Sequence, residues 1–355
     1  MSDLLTLTPE GLFCPEGGFH IDPVRPVEKA VITHGHADHA RSGHGAVLAT
    51  RQTLDIMSIR YGEDFCGTSQ AIACGETLKI GAVEVSLHPA GHVLGSAQVL
   101  LRTEASRTVV SGDYKRQKDP TCAPFEPVPC DTFVTEATFG LPVFRHPPAR
   151  QEIEKLLSSL DLFPGQTHLV GAYALGKAQR VIAELRAAGY EKTIYLHGAL
   201  VKLTAYYKSQ GVDLGPVEPV EKRGKELQGE IVLCPPGQLT DRWARRFGDP
   251  VTAMASGWMR VRARARQRGA ELPLILSDHA DWDDLCRTIE ETGAGQIWVT
   301  HGAEEALVHW CNLNGRNARP LNMIGYDDGE DADMPDGAGA DGSPGRVLGG
   351  DGHVG

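Results

Sequence analysis

Short β-like runs dominate the first 140 residues, and apolar stretches with a helical period become frequent only after them. The runs AVIT, AVLAT, VEVSLHP, AQVLLR, RTVVSGD and DTFVTEA, all within 30–137, are separated by Gly, Pro and Asp. Within 147–255, helical stretches such as EIEKLLSSL and KAQRVIAELRAAG alternate with short strands such as HLVGAY and EIVLCPP. This alternation predicts a parallel sheet flanked by helices. Two further strand–helix pairs are predicted after residue 270.

The C-terminal segment 327–355 differs from the rest of the chain. It carries eight Asp or Glu, one Arg and nine Gly, with almost no large apolar side chain. Such a segment cannot bury enough surface to offset its ordering entropy, so we predict a disordered acidic tail. The tail contributes −7 of the net charge of −11 and leaves −4 for the other 326 residues. That remainder neither demands nor forbids a nucleic-acid partner.

Composition and the N-terminus favour a cytoplasmic protein without a membrane partner. No run of 18 apolar residues occurs, and MSDLLTLTPEG lacks the basic start and apolar core of a signal peptide. The eight cysteines form no C-x-x-C pair, which is typical of reduced thiols in the cytosol.

The stretch THGHADHARSGHG, residues 33–45, contains four histidines and one aspartate. His34 and His36 lie two positions apart, so in an extended loop they face the same side and can bind one divalent ion. Asp38 and His39 follow as the chain turns, and they are placed to bind a second ion. His44 lies in a glycine-flanked loop and is expected to stay outside the site.

Three more candidate ligands follow apolar strand-like runs. His92 comes after VEVSLHPAG, Asp113 after RTVVSG, and His301 after QIWVT. Because the ends of neighbouring strands meet at one edge of a sheet, the sequence predicts a metal site there. Zinc suits imidazole and carboxylate ligands best, and the same ligands admit manganese. No comparable spacing surrounds the other candidates, which are His88, His197 and His309.

These seven residues resemble the ligand set of the metallo-β-lactamase fold, a four-layer αββα sandwich. The resemblance implies a first ion on His34, His36 and His92. It implies a second ion on Asp38, His39 and His301, with Asp113 bridging both. Two such ions lower the pKa of a shared water and clamp a substrate oxygen. Asp38 and Asp113 are then expected to position that water.

The 187 residues between Asp113 and His301 contain four segments that resemble the β-CASP nucleases, the branch of this fold that processes DNA and RNA. These segments are TEATFG (135–140), GAYALGKAQR (171–180), ASGWM (255–259) and SDHAD (277–281). The resemblance covers about residues 10–320. It implies a β-CASP α/β insertion at 146–256 within a metallo-β-lactamase domain formed by 1–145 and 257–326, before the tail at 327–355.

Glu136 and His279 match the remaining acidic and histidine positions of that branch. His279 follows the apolar run LPLILS, so it is expected at the same sheet edge, where it can protonate a leaving oxygen or bind a phosphate oxygen. Glu136 can accept the other ring N–H and fix the tautomer. GAYALGKAQR is not a nucleotide-binding loop, and we interpret it as a tight turn that starts a helix.

Five arginines recur at every second position in WMRVRARARQRG, residues 258–269. In an extended segment they would all face one side and form a cationic ridge suited to phosphates. Arg260, Arg262 and Arg264 are therefore predicted nucleic-acid contacts. Lys115, in the basic cluster YKRQK, is a fourth.

The compact chain, with GLFCPEGGFHIDP and VEKAVITHGHADHARSGHG near its start, looks like the bacterial ligase-associated DNA exonucleases. The leading hypothesis is therefore a two-metal phosphodiesterase that trims single-stranded or terminal DNA in repair, beside an ATP-dependent DNA ligase and a helicase. An RNA-processing nuclease could use the same machinery. A thioester or lactone hydrolase is disfavoured by the insertion and the arginines. A non-catalytic nucleic-acid-binding scaffold would lack bound metal.

Overall fold

Short strands in the first third of the chain build a first sheet of six strands. The structure, a computed structural model, describes residues 4–321, so the predicted tail at 327–355 lies outside the described residues. In spatial order the strands are β1 (Thr6–Thr8), β2 (Gly11–Cys14), β3 (Phe19–Ile21), β4 (Lys29–Val31), β5 (His44–Ala49) and β6 (Cys66–Ala71).

A second sheet of seven strands packs against the first. In spatial order its strands are β19 (Asn317–Pro320), β18 (Gln296–Gly302), β11 (Thr132–Ala137), β10 (Arg107–Val110), β9 (Ala97–Arg102), β8 (Val83–Pro89) and β7 (Thr77–Ile80). Leu12 and Ile21 of the first sheet meet Val85, Val99 and Trp298 of the second in one buried cluster. Full burial of each such side chain contributes about 1.5–3 kcal/mol.

Three helices cover the outer faces of these two sheets. Helix α1 (Arg51–Tyr61) packs on the first sheet, and α6 (Trp282–Thr292) and α7 (Glu304–Leu313) pack on the second. Helix α6 begins where the Asp281 side chain accepts a hydrogen bond from the Asp284 amide. It ends at Gly293, whose φ of 68° favours glycine. The predicted αββα sandwich is thereby confirmed.

The middle of the chain forms a third sheet in which every strand pair is parallel. In spatial order its strands are β14 (Val217–Pro219), β13 (Ile194–Leu196), β15 (Ile231–Cys234), β12 (His168–Gly171), β16 (Val251–Ala255) and β17 (Leu272–Leu274). The predicted boundary at residue 256 separates β16 from β17, although the two are hydrogen-bonded neighbours. The inserted sheet therefore extends to Leu274.

The two faces of the third sheet are covered differently. One face carries α2 (Ala149–Leu162), α3 (Lys177–Ala187) and α4 (Gly198–Ser209). The other carries the short helix α5 (Arg262–Gln267) and four 3₁₀ turns: Lys225–Leu227, Pro236–Leu239, Arg242–Phe247 and Gly257–Arg260. Within residues 4–321, no helix combines the length and apolarity needed to cross a membrane.

Candidate metal centre

The predicted ligands lie just beyond the ends of strands in the two packed sheets. His34, His92 and Asp113 each come three residues after a strand, namely β4, β8 and β10, and His301 is the penultimate residue of β18. The short spacing holds each side chain close to a rigid strand end. The strand ends of both sheets therefore meet at one edge, as the sequence predicts.

Asp113 lies at the centre of this cluster. Its Oδ2 atom is 3.4 Å from Nε2 of His34, 3.4 Å from Nε2 of His39 and 3.8 Å from Nε2 of His92. Among the described residues, three groups with metal-ligand spacing contain Asp113. In the first it is joined by His34, His36 and His92, in the second by His39 and His301, and in the third by Glu136 and His279. Asp38 borders the second group, with Oδ2 3.5 Å from Nε2 of His39.

Hydrogen bonds to backbone carbonyls fix the tautomers of two of these histidines. Nε2 of His36 lies 3.2 Å from the Leu175 carbonyl oxygen, and Nδ1 of His92 lies 2.8 Å from that of Asp278. A carbonyl oxygen only accepts, so each of these nitrogens carries the ring proton. The opposite nitrogens, Nδ1 of His36 and Nε2 of His92, therefore present lone pairs.

The two nitrogen atoms that carry these lone pairs, His36 Nδ1 and His92 Nε2, lie 2.9 Å apart. Burial lowers the pKa of His36 to about 3, and burial followed by the charge of His279 lowers the pKa of His92 well below 6.5. Both rings are thus neutral at pH 7, and neither holds a proton that could lie between them. A cation relieves the repulsion between such lone pairs, so the arrangement fits a metal ion.

In the second group, the buried side chains of His39 and Asp113 carry opposite charges. Burial opposes the charge on His39, but the carboxylates of Asp113 and Asp38 outweigh it and raise the pKa of His39 well above 6.5. Burial also opposes ionisation of Asp113, yet His39 lowers the pKa of this carboxyl well below 3.8. At His301 burial dominates and lowers the pKa to about 4, so that ring is neutral and can serve as a ligand.

Asp22 belongs to this site, although it is not among the ligands predicted from the sequence. Its carboxylate accepts hydrogen bonds from the Thr33 amide at 2.8 Å and from the Thr33 hydroxyl at 2.6 Å. The same carboxylate lies 2.8 Å from Nδ1 of His39, which directs Nε2 of that ring towards Asp113. Asp22 directly follows β3, and an acidic residue after a strand-like run was the available signal.

Glu136 and His279 meet beside the cluster. Nδ1 of His279 lies 2.9 Å from Glu136 Oε2, and the Tyr114 amide donates to Glu136 Oε1 at 2.7 Å. Both side chains are buried, and the rings of His279 and His92 have centroids 4.7 Å apart. The carboxylate thus turns Nε2 of His279 away from itself, which is the geometry expected of an oriented proton donor.

The turn GAYALGKAQR contributes a main-chain group to the site. Gly176 has a φ of 84°, α3 begins at Lys177, and the Gly176 amide donates to Gln179 Oε1 at 2.8 Å. A Cβ atom at Gly176 would lie 2.4 Å from Val93 Cγ1, so the turn also requires glycine for close approach. The turn is structural as predicted, but it also delivers the Leu175 carbonyl to His36.

The predicted cationic ridge is wrong in its geometry. Residues 262–267 form helix α5, in which positions two apart point to different sides. Arg260 and Arg262 are exposed, whereas the guanidinium of Arg264 lies over the Trp258 ring at 3.7 Å from its centroid. Ala and Arg are strong helix formers, and this propensity outweighs the period-two pattern.

Lys115 does not lie on the surface. Its side chain is 1% exposed, and its amine is hydrogen-bonded to Asp119, which is also buried. Arg180 Nε lies 3.5 Å from the same Asp119 carboxylate. A buried and ion-paired amine is not available to a phosphate, so Lys115 is removed from the set of nucleic-acid contacts.

Asp119 should make the stability of the metal-free protein sensitive to acid. Burial favours its neutral form, but Lys115 and Arg180 outweigh burial and lower its pKa below 3.8. A carboxyl group with a lowered folded-state pKa stabilises the fold above its unfolded pKa. This stabilisation is lost as the pH falls through the folded pKa. We therefore expect the free energy of unfolding to drop below about pH 4.

Urea unfolding at pH 7, 5 and 3.5 measures this effect. Asp119→Asn should lower the free energy of unfolding at pH 7 by about 3–5 kcal/mol, because it leaves the buried cations Lys115 and Arg180 without their shared carboxylate. It should also reduce the decline of this free energy below about pH 4. The exposed Asp131 provides the control Asp131→Asn, which should keep the wild-type decline. An Asp119→Asn protein with an unaltered pH dependence would contradict the assignment.

Several proteins are similar in sequence to this chain. Ribonuclease TTHA0252 of Thermus thermophilus is 31% identical over 389 aligned positions, which cover 88% of this chain and 89% of that protein. The Probable DNA ligase of Opitutus terrae is 29% identical over 300 residues. The match covers 82% of this chain but only 28% of that ligase.

A shorter sequence match and a structural match add to these. Endoribonuclease ysh1 of Emericella nidulans is 32% identical over 144 residues, which cover 39% of this chain and 15% of that protein. A crystal structure of an Enterococcus faecalis protein of unknown function superimposes with a TM-score of 0.54 at 13% identity, over 84% of this chain and 80% of that one. No family model matches the chain.

Proposed function

Since this chain belongs to the β-CASP nucleases of the metallo-β-lactamase fold, a family of metal-dependent hydrolases of phosphodiester bonds, we propose that it is an exonuclease that trims DNA ends with two bound metal ions. The observation that carries the choice of DNA is the match of 82% of this chain to part of a protein named as a DNA ligase. A nuclease joined to a ligase would prepare ends for sealing. DNA repair, with a DNA ligase and a helicase as partners, is the setting we propose.

The metal-binding residues of the proposal are those that the cluster brings together. His34, His36 and His92 would hold one ion, Asp38, His39 and His301 the other, and Asp113 both. Zinc or manganese bound there would supply an activated water and clamp the phosphate oxygens. The shared carboxylate and Asp38 would accept hydrogen bonds from that water and orient it.

His279 is the residue we assign to the leaving oxygen. Its ring is buried beside the cluster and is held by Glu136, so only Nε2 can turn towards a substrate atom. Donation of a proton to the departing 3′ or 5′ oxygen prevents the build-up of charge there. A hydrogen bond from the same nitrogen to a non-bridging oxygen would serve the same phosphate group.

The exposed arginines near α5 are proposed to contact the nucleic-acid backbone beside the site. The Trp258 ring lies beneath Arg264, and its centroid is 4.9 Å from that of Phe139. The ring centroids of Phe139 and His279 are 6.2 Å apart. The arginine-bearing segment thus begins near the rim of the candidate site. Arg260 and Arg262 face solvent there and can reach phosphates.

Removing these two arginines should weaken binding in a salt-dependent way. For Arg260→Ala/Arg262→Ala we expect the slope of log K against log salt to fall by about 0.7 per lost contact on single strands. Fluorescence anisotropy at four salt concentrations measures the slope. Arg102→Ala is the control. Arg102 is exposed at the end of β9 that lies away from the metal centre, and it pairs with Glu84. Equal slopes for wild type and the double variant would remove Arg260 and Arg262 from the interface.

An RNA-processing nuclease is the second candidate. It is favoured by Ribonuclease TTHA0252, the relative that this chain matches over most of both lengths. The same ligand cluster and His279 would serve RNA without change.

Matched DNA and RNA substrates decide between the two candidates. Single- and double-stranded oligonucleotides, labelled at either end, are incubated with zinc, manganese, magnesium or a chelator. DNA-end trimming predicts stepwise release of nucleotides from DNA and much slower attack on RNA. Faster cleavage of RNA would establish the second candidate, whereas binding without cleavage in any metal would leave only a scaffold.

A further inference from the structure

Residues 276–279 run between β17 and α6 and pass directly beside the candidate metal centre. The Asp278 carbonyl accepts the hydrogen bond from Nδ1 of His92, and the next side chain, His279, is held by Glu136. Within the segment, the His279 amide donates to the Ser277 hydroxyl oxygen at 3.0 Å. The direction of one predicted ligand and of the proposed proton donor thus depends on this short segment.

Two buried cations of α3 hold the other side of the same segment. Lys177 donates through Nζ to the Leu276 carbonyl at 2.9 Å and lies 3.2 Å from Asp278 Oδ2. Arg180 donates through Nη1 to the Ser277 carbonyl and lies 3.5 Å from Asp278 Oδ1. Both side chains are at most 1% exposed.

Packing alone does not require these charges. Helix α3 already buries Val181, Ile182 and Leu185 in the apolar core of the insertion. Desolvation of ionic groups is costly, and well-packed apolar residues often stabilise a fold at least as well as a buried ion pair. The charges do something that apolar residues cannot, because they bind particular carbonyl oxygens and so set the orientation of each peptide unit.

We propose that Lys177 and Arg180 are positioning residues through which the insertion sets the geometry of the metal centre. They draw the carbonyls of Leu276 and Ser277 towards α3, which leaves the Asp278 carbonyl facing His92. His92 then points Nε2 into the ligand cluster. The part of this inference that concerns His279 rests on the proposed function, while the part that concerns His92 does not.

Metal affinity tests the inference without any substrate. Lys177→Met and Arg180→Met are compared with wild type by competition for zinc and for manganese against a chromophoric chelator. Loss of the group hydrogen-bonded to a ligand histidine typically costs about 10- to 100-fold in metal affinity. Lys177 and Arg180 act on that group at one remove, so a weakening of about tenfold is expected. Arg180→Lys keeps the positive charge but loses the several donors of the guanidinium, so it should recover only part of the affinity.

Lys115→Met is the matched control. Lys115 is as buried as Lys177 and belongs to the same group of charges, but its amine binds Asp119 and not the 276–279 segment. It should lower the thermal unfolding midpoint as the other two variants do, while leaving metal affinity near that of wild type. Equal loss of metal affinity in Lys115→Met and Lys177→Met would show general destabilisation and overturn the proposal. Wild-type metal affinity in both α3 variants, Lys177→Met and Arg180→Met, would also overturn it.

Cleavage at saturating metal gives a second readout. With His279 misplaced, kcat should fall while KM stays within about twofold, because these buried cations do not contact substrate. An unchanged kcat at saturating metal would overturn the His279 part. If wild-type protein cleaves neither DNA nor RNA, the proposed function fails, but the metal-affinity comparison still decides the His92 part.

Discussion

Asp113→Ala is expected to abolish cleavage and to prevent binding of a metal pair. The carboxylate lies within 3.8 Å of three imidazoles and belongs to the first two ligand groups, so its loss removes a side chain that both proposed ions would share. We expect kcat/KM to fall by at least about 10³-fold, because the activated water and the phosphate clamp are lost together. Steady-state cleavage of labelled DNA and metal analysis of the purified protein measure the two effects.

The control for Asp113→Ala is Glu84→Gln. Glu84 is a half-exposed carboxylate of β8 that pairs with Arg102 at the far end of the sheet. This variant should retain both metal content and activity. An Asp113→Ala protein that keeps two metal equivalents would show that the ions do not share this carboxylate.

His279→Ala should give the second largest loss, with a different signature. Removal of a positioned proton donor costs about 10²–10⁴-fold in kcat, and metal content should remain at the wild-type level because the predicted ligands are untouched. Glu136→Gln should give a smaller loss in the same direction, since the amide can still hold the ring but without its negative charge.

A modified substrate separates the chemical role of His279 from a folding defect. A phosphorothiolate oxygen-to-sulfur change at the leaving atom gives a leaving group that needs no proton. On such DNA, the gap between His279→Ala and wild type should shrink by at least about tenfold. A gap of unchanged size would place His279 at the non-bridging oxygens instead.

The αββα sandwich was implied by the resemblance of the ligand set, whereas the strand-like runs predicted individual strands, several of which are buried along nearly their whole length. VEVSLHP and AQVLLR predict β8 and β9 with the observed bounds, and the ligands that follow the strands do meet at one edge. The assignment of metals to those residues stays a prediction. The arginines at every second position wrongly predicted an extended segment. A short helix rich in Arg and Ala can form from helix propensity alone, without a helical pattern of apolar residues.

Other parts of the site were beyond the reach of sequence patterns. The Leu175 and Asp278 carbonyls that orient His36 and His92 are main-chain groups, and every residue possesses one. Lys115 stands in a basic cluster that is typical of a surface, yet it is buried against Asp119, and Asp119 in turn pairs with Arg180 on α3. Such contacts join residues that lie about 60 positions apart in the chain.

The nitrogen atoms His36 Nδ1 and His92 Nε2 lie 2.9 Å apart with their lone pairs facing, an arrangement that favours a bound cation. This dependence on a cation affects how much of the protein a cell retains. An ion that binds only the folded chain adds about 2.7 kcal/mol to its stability when free metal is 100 times the dissociation constant. Chains made during metal shortage would lack this contribution and would unfold more often. Proteases would then degrade them faster, so the amount of enzyme in the cell would fall when the metal is scarce.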